Sequence, residues 1–156
     1  MNTPLSAVQR GIRPQNILVC TDFSENASCA LPYAAEYARQ FGARVVLVHI
    51  VEPAPILSGM EDVPLALSEK QLTQTAKDNL EALATQTLAP EIQYGVEVRT
   101  GTAYAEIAKA AKDVKADLVV IATHGYTGLK HTLLGSTAER VVRQAPCPVL
   151  VVRQQE

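Results

Sequence analysis

Leu118-Val-Val-Ile-Ala122-Thr-His-Gly-Tyr-Thr-Gly-Leu-Lys-His-Thr-Leu-Leu-Gly-Ser136 decides how this chain is read. Leu118 to Ala122 is an unbroken apolar run, short enough for a fully buried strand. Gly125, Gly128 and Gly135, three of only eight glycines in the chain, then mark a loop, and Ser136 to Gln144 has the look of a helix. The first N–H groups of a helix lack internal partners and sit at the positive end of its dipole. Glycine lets a ligand approach the main chain closely. A glycine-marked loop that opens a helix is therefore a candidate phosphate cradle. The plainer alternative is a turn that only joins strand to helix.

Working outward, the same alternation recurs. Residues 1–14 show no periodicity and read as a flexible leader. Ile17 to Cys20 is a short apolar run, followed by Thr21-Asp22-Phe23-Ser24-Glu25, which is helix-start chemistry. Asp22 and Glu25 have capping-box spacing, and Ser24 competes as the cap. Ala27, Ala30, Leu31, Ala34, Ala38 and Phe41 recur at helical spacing, with Pro32 set to kink this helix or delay its start and Gly42 to stop it. Arg44 to Val51 is the next buried strand, and the proline-rich stretch Glu52 to Pro64 cannot continue it. A helix over 68–88 follows, with Leu72, Ala76, Leu80, Leu83 and Leu88 on one face and Pro90 after its end. Ile92 to Arg99 alternates apolar and polar, as expected for an edge strand or one with a thinly covered face. Gly101 to Asp113 supplies a third helix, Ser136 to Gln144 the fourth, with a capping box Ser136-Thr-Ala-Glu139, and Val149 to Val152 the last strand. Five strands alternating with four helices imply parallel βαβ units in a single-domain, doubly wound α/β sheet. Ligands of such sheets bind beyond the C-terminal strand ends, where strand order reverses.

The 156 residues suit one domain with one substantial core. The net charge of −2 leaves no electrostatic footprint for nucleic acid or an anionic membrane. No apolar run approaches the ~20 residues of a membrane helix, and Pro4, Gln9, Arg10, Gly11 and Arg13 break up any signal-peptide core. The expected location is the cytoplasm. Cys20, Cys29 and Cys147 form no metal-binding pair and read as packing residues.

Three stretches carry a resemblance. Gly125, nine residues and then Gly135-Ser136 resemble the nucleotide loop of the universal stress protein family, whose ATP-binding members show Gly-x2-Gly-x9-Gly-Ser/Thr; Ala122 stands in place of the first glycine. Ile17-Leu-Val-Cys-Thr-Asp-Phe-Ser24 and Ala145-Pro-Cys-Pro-Val-Leu-Val-Val152 resemble the family's first and last strands with their flanks. The resemblance makes residues 15–156 the universal stress protein domain and implies a Rossmann-like strand order 3-2-1-4-5. The reversal would then lie between strands one and four. It implies an adenine nucleotide as ligand: ATP, or ADP or AMP, with the Mg2+ that ATP brings. By the same match Ile50 lies where relatives place adenine, Asp22 would accept from ribose hydroxyls as an alternative to capping, and Thr21 flanks the base or sugar. On this reading Ala122, His124, Gly125, Gly128, Gly135, Ser136 and Thr137 would line the phosphates. Many relatives have Arg or Lys where this chain has Tyr126. In the implied order the apolar strand Val149 to Val152 lies at a sheet edge, which points to a homodimer through that strand.

Other chemistries lack their signatures. No Gly-x4-Gly-Lys-Ser/Thr, no Gly-x-Gly-x2-Gly after a strand and no Gly-x-Ser-x-Gly occurs. His49, on an apolar strand, reads as a satisfied core residue rather than a catalyst. His124 sits in the loop and is a candidate phosphate donor, with Lys130 and His131 the other nearby cations. No residue is assigned a catalytic or metal-binding role. Three readings follow: an ATP-binding stress-response or signalling protein, at most a slow ATPase; a nucleotide-free relative acting as a dimeric interaction module; and an enzyme on the same fold. The last lacks any Ser-Gly-Gly-x-Asp-Ser loop.

Overall fold

The computed structural model describes residues 13–53, 65–123 and 134–154. Five parallel strands, β1 (Asn16–Cys20), β2 (Arg44–Val51), β3 (Tyr94–Thr100), β4 (Leu118–Ala122) and β5 (Val149–Val152), form one sheet in the order β3-β2-β1-β4-β5. This is the expected doubly wound α/β fold, with the reversal between β1 and β4. The strands are where the apolar runs put them, because a parallel sheet covered on both faces needs side chains that lose water on both sides.

Alternate residues divide the core. Ile17, Val19, Val45 and Leu47 pack under α2 (Ala30–Phe41) and α3 (Leu65–Thr87). Leu18, Cys20, Val46 and Val48 pack under α4 (Ala103–Asp113) and α5 (Ser136–Gln144). The first expected helix is present as two segments, α1 (Glu25–Ser28) and α2, that meet at Cys29. Pro32 explains the break: it has no N–H for the Ser28 carbonyl, one turn back. Ser24, not Asp22, is the cap, its Oγ accepting from the Ala27 N–H at 3.1 Å. Gly42 ends α2 with φ of 67°, a conformation costly for residues with a Cβ.

Two expectations need correcting. Leu72 is 56% exposed and so is not part of the buried face of α3, which among the described side chains comprises Ala76, Leu80 and Ala84. The cap of α5 is Gly135, one residue earlier than expected, so Ser136 to Glu139 form no capping box. Glu139 instead pairs with Arg143 at 2.8 Å. In β3 the alternation separates two faces, with Tyr94, Val96 and Val98 against the α2–α3 cluster. On the other face, level with Val48 and Ile50, stand Glu97 and Arg99. Arg99 pairs there with Glu97 and with Asp113 of α4, each at 2.7 Å. The polar half of β3 is thus held by ion pairs beneath α4's last turn. The stretch 54–64 and most of the expected leader lie outside the described residues.

Candidate functional site

Two strand ends converge at the reversal. Continuing the register Val19↔Val120 by two residues brings Thr21 level with Ala122, about 5 Å away across the sheet. Thr21 also extends the pairing to β2, its N–H donating to the Val48 carbonyl at 3.0 Å. Ile50, near the end of β2, packs on the α4–α5 side of the sheet. Thr21, Asp22, Ile50, Ala122, Gly135, Ser136 and Thr137 therefore belong to elements that end or begin at one edge of the sheet. His124, Gly125 and Gly128, with Tyr126, Lys130 and His131, lie outside the described residues.

The turn after β1 is tightly built. The Thr21 hydroxyl accepts from the Phe23 N–H at 3.0 Å. The Asp22 carboxylate accepts from both the N–H and the hydroxyl of Ser24. Phe23 has φ of 64°. A left-handed backbone costs a residue with a Cβ roughly 1–2 kcal/mol, so the rest of the turn must hold it there. Part of that hold comes from β2: the His49 ring lies 4.5 Å from the Phe23 ring, and its Nδ1 is 2.9 Å from the Thr21 carbonyl. Nothing in the one-dimensional pattern signals this link, since His49 stands in an ordinary apolar run.

Ala122 and Gly135 frame the other side. Ala122 is buried and, as its strand conformation requires, is not among the positive-φ residues. A methyl group there is free of backbone strain. The Gly135 N–H donates to the Thr123 carbonyl at 2.8 Å, tying the start of α5 to the end of β4. Gly135 has φ of −67° and ψ of 151°, ordinary for any residue, and supplies no side-chain cap.

The helix N-termini differ in how they are satisfied. α1 is capped by Ser24. α4 receives a carboxylate from a distance: Glu52, just past β2, accepts from the Ala103 N–H at 2.9 Å, placing negative charge at the positive end of that helix. At α5 the N-cap residue itself, Gly135, has no side chain to offer. One cation missed from sequence stands near it. Arg140, one turn into α5 and on the same side as Ser136 by the i,i+4 rule, has its guanidinium 4.9 Å from the centre of the Tyr104 ring on α4. Cys20, immediately before Thr21, is fully enclosed, and burial pushes its thiol up to about 12, which rules it out as a nucleophile near neutral pH. Among the described residues no group of three or more His, Cys, Asp or Glu is arranged to hold a metal ion, and no helix is long and apolar enough to cross a membrane.

A family model described as "Universal stress protein family" matches residues 14–153. The chain is 36% identical over 139 residues to a universal stress protein of Thermus aquaticus, covering 89% of this chain and 98% of the relative. It is 33% identical over 144 residues to universal stress protein MJ0531 of Methanocaldococcus jannaschii, covering 90% and 82%. Among solved structures, that of the protein MJ0577 superposes with a TM-score of 0.78 at 30% identity, covering 91% of this chain and 97% of the other. Two more distant structures share the fold. One is a universal stress protein in complex with cAMP, at 22% identity and TM-score 0.61, covering 92% and 99%. The other, from Archaeoglobus fulgidus in complex with dAMP, has 24% identity and TM-score 0.55, covering 88% and 96%.

Proposed function

Since the chain belongs to the universal stress protein family, we propose that it binds an adenine nucleotide, ATP in the first place, and acts in stress response or signalling through the bound state. The phosphates would lie at the N-terminus of α5, against the main chain of Gly135, Ser136 and Thr137 and the loop containing His124, Gly125 and Gly128. The ribose would meet Asp22 and Thr21, and the base the end of β2 at Ile50. Mg2+ would arrive with ATP. One observation carries the reading: at the reversal of strand order, α5 begins at Gly135, an N-cap with no side chain to offer the helix, whereas among the described residues α1 and α4 each receive an oxygen from a side chain. A helix start of this kind at that position suits a phosphate. The cAMP and dAMP complexes of two proteins with this fold favour the same ligand class.

Native mass spectrometry of the purified protein, with no nucleotide added, tests this. Expected is a population heavier by the mass of ATP, ADP or AMP, together with calorimetric binding of added ATP. A clean unliganded mass and no calorimetric signal would favour the second reading, a nucleotide-free dimeric interaction module. That reading draws on β5, where Val149, Leu150 and Val151 are only half-buried in the single chain. A homodimer through β5 is compatible with either reading.

A further inference from the structure

We infer that His49 is a positioning residue for sugar recognition: it holds the turn that presents Asp22. This rests on the nucleotide reading above and adds to it the residue that would set discrimination between ribose and hydroxyl-free sugars.

The argument begins with the proton. A carbonyl oxygen only accepts, so at 2.9 Å from the Thr21 carbonyl the Nδ1 of His49 must carry hydrogen. The neutral ring is therefore the Nδ1–H tautomer. The same ring rests against Phe23 at 4.5 Å with a 35° tilt. His49 thus grips both ends of a three-residue turn, the carbonyl at Thr21 and the aromatic ring at Phe23, with Asp22 between them. The turn needs that grip, because Phe23 is held at φ of 64°. The bond from the Phe23 N–H to the Thr21 hydroxyl and the bonds from Ser24 to the Asp22 carboxylate support it locally. Relaxing Phe23 to a negative φ would swing the peptide planes on either side and re-aim the Asp22 carboxylate.

A purely structural role would be served as well by an aliphatic residue. His49 continues the run Val45-Val-Leu-Val48 and pairs in register with Val98 of β3. Leucine at this position would retain apolar contact and strand pairing while losing the donor. The two roles therefore separate in one measurement.

The test uses the full chain with calorimetric titration of ATP and 2′,3′-dideoxy-ATP, alongside thermal unfolding, for wild type, His49→Leu and His49→Asn. The asparagine amide reaches close to the Nδ1 position and restores a donor. The wild type is expected to prefer ATP by roughly tenfold or more, as for hydrogen bonds to a charged group. His49→Leu should reduce that preference to within about threefold, and His49→Asn should recover most of it. Nitrogen-15 shifts of the unliganded protein should show the Nδ1–H tautomer, a readout that needs neither variant nor nucleotide. A wild-type preference retained in His49→Leu, or an Nε2–H tautomer, overturns the inference while leaving nucleotide binding intact. Failure of the wild type to bind either nucleotide overturns both.

Discussion

The Gly135 N–H donates to the Thr123 carbonyl at 2.8 Å, so the start of α5 is tied to the residue that follows β4. That bond fixes the start of α5 against the C-terminal end of β4. The first helical bond runs from the Glu139 N–H back to the Gly135 carbonyl, and Ser136, Thr137 and Ala138 make up the first turn.

Gly135→Val should abolish nucleotide binding while leaving the fold intact. Gly135 has φ of −67° and ψ of 151°, which a β-branched residue adopts readily, so the stability change should stay below about 1 kcal/mol. The branched side chain would instead fill the space proposed for phosphate. Ala122→Gly should bind ATP equally well or more tightly, and lose roughly 0.5–1 kcal/mol of stability for a glycine inside a strand. Calorimetry and thermal unfolding on both variants check this. Unchanged ATP affinity in Gly135→Val would remove the phosphates from α5.

The homodimer prediction comes from β5. Its residues are uninterruptedly apolar, yet only Val152 is buried in the single chain. β5 bonds to β4 on one side, and among the described residues no strand pairs with its other edge, an arrangement that invites a second copy. Light scattering should give twice the 16.8 kDa chain mass. Val151→Lys should lower it with an unchanged circular dichroism spectrum, since a lysine stem can cover the apolar surface beneath while its charge reaches solvent. A wild-type monomer at roughly tens of micromolar would contradict the proposal.

Alkaline pH should destabilise the protein through Cys20. Burial raises this thiol from 9.0 to about 12 in the native state. The unfolded chain therefore loses the proton first. Above pH 9 the native state binds more protons than the unfolded one, and stability falls as pH rises toward 12. Three pKa units correspond to at most about 4 kcal/mol. Cys29 and Cys147 are raised by burial as well and push in the same direction. Urea titrations at pH 8 and 10.5 should show a smaller pH-dependent loss in Cys20→Ala than in the wild type. In the native protein at pH 8, Cys20 should resist alkylation; rapid labelling would show that the site opens.

How much of this was legible in sequence depends on whether the cause was local. The strands were, because Val45 to Val48 or Leu118 to Ala122 must be apolar to be covered on both faces. Gly42 as a helix stop and Pro32 as a break were legible because each acts through its own backbone. The parts that escaped are set by partners distant in the chain. The grip of His49 on Thr21 spans 28 residues, and the cap that Glu52 gives Ala103 spans 51. Neither leaves a spacing to read. The left-handed φ of Phe23 was hidden because only glycine advertises such a conformation. Leu72 fitted the helical period but is not part of the buried face of α3, a limit set by tertiary packing. Around the proposed site, Thr21, Asp22, Ile50 and Gly135 were put forward through family resemblance, whereas Arg140 drew no notice because its neighbour Tyr104 is on another helix.

Bound ATP should be hydrolysed very slowly or not at all. Rapid phosphoryl transfer needs charge neutralisation around the γ-phosphate and a group that positions the attacking water. Candidate cations are His124, Lys130 and His131 in the loop and Arg140 on α5, the last resting over Tyr104. For orienting water the chain offers little. Asp22 is committed to the Ser24 turn and, on the proposed reading, to ribose. Glu139 is paired with Arg143, and Glu52 caps α4. Between Thr123 and Gly135 the sequence leaves only the imidazoles of His124 and His131 as bases. Typical enzymes turn over at about 1–10³ s⁻¹, and this protein should lie well below that range, so that ATP serves as a switch ligand rather than a substrate. Single-turnover assays with radiolabelled ATP would decide it. A rate near ~1 s⁻¹ or above, lost in His124→Ala but kept in a neighbouring loop variant such as Thr127→Ala, would make the protein an ATPase.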